Sequence, residues 1–410
     1  MDLFHDSPLL SGVRQMLTAF ATQQIRPIAM VHDADESMPW SLMKAAGAFG
    51  LTQTAALDGR KRLTGTEEDP DPTKPKTQAR LSVVASEELA YGCAGICLAL
   101  GGSGLAASPI ARMGTDEQKA EFRRLLAGTD EHGHIKVAAM ALSEPATGSD
   151  ISGLVTTATA DGAHWILRGS KQWITNGKSA AAYVVWAQTD PAAGRAGVRG
   201  FLVAREAPGL VPGRKETKLG IRASETAQVH FEDVRVHGDM MLGIGPGAGG
   251  RSGGVAGGLS DTKKMLDSTR PVVAAQAVGI ARAAYEYLLE RVRGGTVRGT
   301  PMASHQHIMF ELADMQMEIA ASRLLAHRAA WLADHHRDNV AEASMAKAHA
   351  ARTAQQVTTR AMVLLGEEAL VPGHPVEKWY RDAKIYDIFE GTGQIQRRIL
   401  ARQLTGQNPT

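Results

Sequence analysis

Cysteine is nearly absent. Of 410 residues only Cys93 and Cys97 are cysteines, too few for a disulfide framework and without the companion ligands of a zinc site. Their i, i+4 spacing in "YGCAGIC" suits one face of a helix, where both would be small core residues. Neither sign of charge dominates: 45 Lys and Arg against 43 Asp and Glu give a formal net charge of +2, which provides no field for a polyanion or an anionic membrane surface. Nucleic acid is therefore not an expected partner. No continuous run of about 20 apolar residues is found, and "MDLFHDSPLL" lacks the basic start and apolar stretch of a secretory signal. These absences predict a cytoplasmic chain with no membrane partner. There is also no G-x-S-x-G elbow and no Walker lysine motif, so serine-hydrolase and nucleotidase readings have no foothold.

What is present divides by texture. The length predicts two or three structural units sharing buried surface. From 1 to 135 the apolar spacing is helical, as in "VRQMLTAFATQQIRPIAM" and "ARLSVVASEELAYGCAGICLAL", interrupted by a Pro- and Thr-rich loop over 58–78. From 136 to 240 short β-type runs such as "HWILRG", "QWIT", "YVVWAQT", "GFLVA" and "QVHFEDVRV" alternate with Gly and Asp, which predicts an antiparallel β domain. Residues 241–261 read as a Gly-rich linker. From 262 to 410 helices return. There Ile308, Leu312, Met315 and Ile319 form one stripe, and three long helices with a shorter last one suffice for a bundle. The fold class is α+β, in the order α, β, α.

Two features carry less than they suggest. Gly245, Gly247 and Gly250 spell G-x-G-x-x-G, but no βαβ unit surrounds them and Pro246 interrupts them, so a flexible linker is the better reading. His132 with His134, and His335 with His336, lack companion ligands and read as surface histidines.

The stretches that point to chemistry are "MALSEPATGSDISG", "LRGSKQWITNG", "KLGIRASETAQVHFEDVRV", "LDSTRPVVAAQAVGIARAA" and "PVEKWYRDAKIYDIFEGTGQIQRRILAR". By itself the first is a turn with exposed donors, or an ordinary domain-crossing loop, and the second is a strand whose Trp173, Ile174 and Thr175 could line a flat ring. Taken together and in this order, they resemble the acyl-CoA dehydrogenase family, most nearly its medium- and short-chain members, over nearly the whole chain. The resemblance implies an N-terminal helical domain, a middle β domain and a C-terminal four-helix bundle, with FAD between the last two. It implies conversion of an acyl-CoA to the trans-2-enoyl-CoA, with electrons passed to an electron-transfer flavoprotein.

A proton alpha to a thioester carbonyl is barely acidic, so its removal requires a carboxylate of raised pKa in a dry site and donors for the enolate oxygen. By resemblance that carboxylate is Glu390, with the β-hydrogen leaving as hydride to flavin N5. Some members carry the base on a bundle helix before the Arg corresponding to Arg270; here that place is Thr269. The resemblance also implies that Met140, Ala141, Leu142, Ser143, Gly148 and Ser149 wrap the flavin, that Trp173, Ile174 and Thr175 back its ring, and that Thr392 and Gln394 reach it. Ser149, Thr189, Asp267, Thr269 and Arg270 would face the CoA or acyl chain, with Gly391 at the thioester.

Three departures qualify the resemblance. In homotetrameric members each FAD is also gripped by a neighbouring subunit, through an Arg-Lys-x-Phe-Gly run and a Gln with a Gly-Gly-x-Gly segment. Here the first Arg falls on Gly295 and the Phe on Arg298, while Val363, Glu367, Glu368 and Ala369 replace the second set. This predicts a heterotetramer whose related partner supplies the missing contacts; the alternative is a homotetramer that binds FAD weakly or through substitutes such as Arg293 or Arg298. Gly101 stands where medium-chain relatives close the acyl pocket with a carboxylate, and with Gly102 and Gly104 it predicts a long or bulky acyl group. The Gly-rich run before Lys263 reads as an insertion. Two rival functions share the fold, an acyl-CoA oxidase and a flavin-poor structural or regulatory subunit.

Overall fold

Ser7 starts the first helix. Its hydroxyl accepts the Leu10 N–H at 3.4 Å, and Pro8 takes the first helical position, where a missing N–H is harmless. In this computed structural model, which describes residues 7–48, 75–244 and 259–407, α1 (Pro8–Phe20) buries Leu10, Val13 and Leu17 against α4 (Gln78–Gly92). A wide turn at Ala21–Ile25 leads into α2 (Arg26–Ala34) just before Pro27, which has no N–H to continue the α ladder. The helical run over 13–30 is thus two helices. The 58–78 segment lies mostly outside the described residues, as do Gly245, Gly247, Gly250 and the side chains of 259–267.

After α3 (Trp40–Ala48) and α4 come α5 (Ala94–Gly101), α6 (Gly104–Met113) and α7 (Asp116–Leu126). Cys93 does not lie on a helical face. It is the extended break between α4 and α5 (φ −166°, ψ 122°), its sulfur 3.2 Å from the Lys378 ammonium, and both cysteines are free and buried. The stretch Ala94–Met113 is long and apolar enough by composition to cross a membrane, contrary to the sequence reading that no such run exists. It is two helices separated at Gly102 and Ser103, and 67% of it is buried within the protein, as core helices are.

The sheet comprises β1 (Val137–Ala141), β2 (Thr157–Asp161), β3 (His164–Thr175), β4 (Ala180–Gln188), β5 (Val198–Ala204), β6 (Leu210–Lys215) and β7 (Thr226–His237). Its order is β1-β4-β2-β3-β7-β6, with β5 also on β4. Most pairings are antiparallel, as expected, but β1 joins β4 in parallel, which makes the sheet mixed. "HWILRG" and "QWIT" form one strand, β3, kinked by a bulge between Lys171 and Ile174. Alternation along β4 explains the layers: Val184 and Trp186 face α6 and α7, whereas Tyr183 and Val185 enter the core on the other face. Gln118, fully buried on α7, donates to the carbonyls of Asp239 (2.7 Å), Met241 (2.7 Å) and Ile244 (3.1 Å) and so fixes the chain as it leaves the sheet.

The second helical layer is α8 (Leu259–Gly294), α9 (Gln306–Asp334), α10 (Val340–Leu365), α11 (Pro375–Ala383) and α12 (Gly393–Thr405). The stripe Ile308, Leu312, Met315 and Ile319 is buried as its spacing predicts. α4 crosses α8 closely. A Cβ on Gly279 would stand 2.3 Å from the Glu87 carbonyl oxygen, so only glycine permits this approach. Beside the crossing the buried Glu87 and Glu88 meet Arg282 at 2.8 Å and 2.5 Å, and Arg323 reaches Glu87 at 2.8 Å. Burial alone would raise the Glu87 carboxyl, but these guanidinium groups outweigh it and hold it below the ordinary carboxylate range.

Candidate active site

The loop that follows α11 is anchored before it reaches Glu390. Asp382 accepts the Ile221 N–H at 2.5 Å, and Arg381 reaches Asp33 at 2.6 Å. Tyr386, fully buried, donates to Gln276 on α8 at 3.2 Å and stacks edge-on with Phe389 at 5.0 Å. The chain then turns through Glu390 (φ +54°) and Gly391 (φ +88°). Glycine adopts this region freely, but a glutamate held there is strained, and such strain concentrates at functional sites. Thr392 ends the turn by accepting the Ile395 N–H at 3.2 Å, which caps α12.

Glu390 faces α8. Thr269 donates its hydroxyl to Glu390 Oε2 at 2.9 Å. Burial pushes the Glu390 carboxyl up; Thr269, Lys347 and Arg270 pull the other way, and burial prevails. The result is a carboxylate readier to accept a proton than a solvated one. Behind it, Lys347 Nζ on α10 and Gln396 Nε2 on α12 both donate to the Gly391 carbonyl, at 2.6 Å and 3.0 Å. A Cβ on Gly391 would approach that amide nitrogen to 2.6 Å. Arg270 is buried on α8 next to Thr269, whereas the side chain of Asp267 lies outside the described residues.

The surfaces expected to hold a flavin are distributed as follows. Trp173 sits at the β3 bulge with φ +62° and 57% of its surface exposed. Ile174 is 2% exposed and packs into the sheet core, so only its backbone could meet a ring. Thr175 ends β3 half-buried. Met140 and Ala141 close β1, followed by Leu142, Ser143 and a turn on which Gly148 and Ser149 are exposed. Within that turn the buried Thr147 hydroxyl has no hydrogen-bond partner. An exposed indole held at left-handed φ, beside a turn with a buried hydroxyl still to be paired, fits a large planar ligand with polar edges. Gln394 is exposed on the first turn of α12.

Other expected contacts are engaged elsewhere. The Thr189 hydroxyl donates to the Gly197 carbonyl at 2.7 Å and closes its own loop. Gly102 does not open a pocket, because a Cβ there would meet Asn176 Nδ2 at 2.9 Å and Thr175 Cγ2 at 3.1 Å. Its missing side chain serves close packing of α5 against the end of β3. Gly101 is the last residue of α5.

The segments read as lost neighbour contacts have uses within this chain. Gly295 ends the α8 region, and Arg298 (φ +50°) lies at the tip of an exposed hairpin. Val363 is 73% exposed. Ala369 is buried within a 3-10 turn, Gly366–Leu370, and not at a left-handed position. Glu368 meets Arg291 at 2.7 Å, and that guanidinium holds its carboxyl below the usual range.

Sequence reasoning missed the buried ion pair next to the turn after β1. Glu144 and Lys171 approach to 2.8 Å with both side chains 0% exposed. Glu144 also accepts the N–H groups of Val155 (2.8 Å) and Thr156 (3.0 Å), so it ties together both ends of the turn that carries Gly148 and Ser149. A lysine on the inward face of a strand, four residues after Leu167, is the sequence sign of such a pair.

Comparison with known proteins accords with this architecture. The family models described as the N-terminal, middle and C-terminal domains of acyl-CoA dehydrogenases match residues 10–129, 139–234 and 256–405. The chain is 38% identical to the mitochondrial short-chain specific acyl-CoA dehydrogenase of Bos taurus, over 96% of this chain and 89% of that protein. It is 37% identical to the Homo sapiens protein of the same name, over 94% and 87%. Among solved structures, butyryl-CoA dehydrogenase from Megasphaera elsdenii superposes with a TM-score of 0.83 at 30% identity, covering 98% of this chain and 99% of that one. A glutaryl-CoA dehydrogenase from Mycobacterium smegmatis in complex with FADH2 gives a TM-score of 0.83 at 25% identity, over 98% and 96%. With matches across all three domains, the chain belongs to the acyl-CoA dehydrogenase family of FAD-dependent oxidoreductases.

Proposed function

We infer that Glu390 is the base of an FAD-dependent acyl-CoA dehydrogenation that yields the trans-2-enoyl-CoA. The observation that carries this is Glu390 held at left-handed φ in the loop before α12, with its carboxylate against the Thr269 hydroxyl of α8, where burial favours its neutral form. Such a group takes a weakly acidic α-proton and, once protonated, is neutral in a dry site. The Glu390 N–H is the donor on this chain for the thioester oxygen. Bound FAD supplies the oxidant that takes the β-hydrogen with its electron pair. Trp173, Thr175, the turn with Gly148 and Ser149, and the start of α12 would hold it. An electron-transfer flavoprotein is the proposed acceptor, and anaerobic turnover with it would separate this reading from an oxidase.

The test is the visible spectrum of the purified protein titrated anaerobically with acyl-CoAs. Bleaching of the flavin by one thioester is the expected result. A protein with bound FAD that no acyl-CoA bleaches would overturn the reading.

Thr269 should set the lower end of the working pH range. Its hydroxyl favours the ionised Glu390, so Thr269→Val raises the carboxyl pKa further, and the acidic limb of the pH–rate profile moves to higher pH by about one unit. An unmoved limb would show that the hydroxyl does not act on the base.

For the acyl group we keep the longer or bulkier class on Gly101 and Gly104, since Gly102 is needed for packing. The relatives named above are short-chain specific, and a strict preference for butyryl-CoA in the same titration would overturn the longer class. For assembly we propose a heterotetramer. The segments that would reach a neighbour's FAD are tied within the chain by Arg291 and Glu368. Stoichiometric, tightly held FAD in the chain expressed alone would refute it.

A further inference from the structure

Lys347 is an unusual group to find where it is. Only 1% of it is exposed, and it lies on α10 in line with Ala343, Ala350 and Ala354, all fully buried. A lysine on an apolar stripe is unfavourable unless its charge is used. Here the ammonium ends 2.6 Å from the Gly391 carbonyl, which also accepts Gln396 Nε2 at 3.0 Å. Two donors from two helices thus hold the peptide that follows the two left-handed residues, Glu390 and Gly391. Thr269 and Arg270 on α8 and Lys347 on α10 act on the Glu390 carboxylate, Gln396 on α12 donates to the Glu390 carbonyl at 3.4 Å, and Asp387 on the turn before the loop acts on Lys347.

We propose that Lys347 is a positioning residue for the base, clamping the Gly391 carbonyl and keeping a positive charge beside Glu390. This rests on the reading of Glu390 as base. The clamp fixes the peptide between Gly391 and Thr392, and with it the direction in which the Glu390 carboxylate and N–H point. The charge favours the ionised carboxylate and partly offsets the effect of burial. Burial in turn lowers the Lys347 ammonium to about 8, despite Asp387 and Glu390, so charge and clamp are strongest below that pH.

Three substitutions separate the two roles. Lys347→Met removes donor and charge, Lys347→Gln keeps an amide donor without charge, and Lys347→Arg keeps both. In flavin-loaded enzyme the acidic limb of acyl-CoA-driven flavin reduction should move up by about one pH unit in Met and Gln and return toward the parent in Arg. A rate lowered evenly across pH, with the limb unmoved, would overturn the proposal, because a purely structural lysine predicts that pattern. A second readout does not use turnover. In protein labelled with [δ-13C]glutamate, the Glu390 carboxyl resonance, identified by its loss in Glu390→Gln, should titrate at higher pH in Lys347→Gln. If the lysine variants do not fold, the parent protein alone should show a second, smaller step of that resonance on the alkaline side as Lys347 loses its proton. Absence of that step would overturn the proposal. Should Glu390→Gln still turn over, the base assignment fails, while the resonance still reports whether Lys347 acts on the carboxyl.

Discussion

Glu390→Gln should slow flavin reduction by acyl-CoA about 100- to 10,000-fold, the range general-base catalysis supplies, and at the same time make the folded protein more stable at neutral pH. The first effect follows from losing the proton acceptor while leaving its shape. The second follows from linkage. Burial raises the carboxyl in the folded state despite Thr269, Lys347 and Arg270. A carboxyl whose folded pKa lies above its unfolded value opposes folding once pH exceeds the unfolded value, because ionisation is then easier in the unfolded chain. Glutamine removes that opposition. The gain should therefore appear in urea unfolding at neutral pH and vanish in acid, where both states are protonated. Loss of rate with no gain in stability would mean that the carboxylate is better solvated than its position implies, and that a base of raised pKa is not what the loop provides.

How much of this site could be read from residues alone depends on the kind of interaction. The stripe of Ile308, Leu312, Met315 and Ile319 was legible because a helix has one period and its buried face must follow it. The largely apolar "YVVWAQT" was legible as a strand, but not its parallel pairing with β1, because partner and direction are long-range choices. The break at Cys93 was masked by the helical spacing that α4 and α5 each keep, and the Gly92 directly before it was its one local mark. Glu390 stood out through the residues around it, but its left-handed backbone did not. Gly102 was misread for a physical reason: a missing side chain looks the same in sequence whether it opens space or permits contact. Lys347 lies 43 positions before Glu390, in a helix that on composition alone could present it to solvent. Only its place in line with Ala343, Ala350 and Ala354 gives it away.

The turn proposed to face the flavin depends on a charge pair that should be the most stability-sensitive polar feature near the site. Glu144 and Lys171 are both fully buried at 2.8 Å, and removing one partner of such a pair leaves a charge without its counterion, at a cost of about 3–5 kcal/mol. Lys171→Met should therefore lower the urea midpoint sharply. It should also lower flavin content, because Glu144 holds the N–H groups of Val155 and Thr156 at the far end of the turn that presents Gly148 and Ser149. The double variant Glu144→Met with Lys171→Met should recover part of the stability, since an apolar pair of similar volume avoids the desolvation of both charges. It should not recover the flavin, because no carboxylate then accepts the two N–H groups. The pH dependence follows the carboxyl. Burial alone would raise Glu144, but Lys171, Thr156 and Val155 outweigh it and hold it below the ordinary range. Its contribution is complete above the unfolded carboxylate pKa and is lost as pH falls through the lower folded value. Acid should accordingly weaken flavin retention in the parent protein as Glu144 takes up its proton. Flavin content and urea midpoint are measured on the same samples. A double variant that regains both would show that the pair fills space and that the carboxylate does not hold the turn.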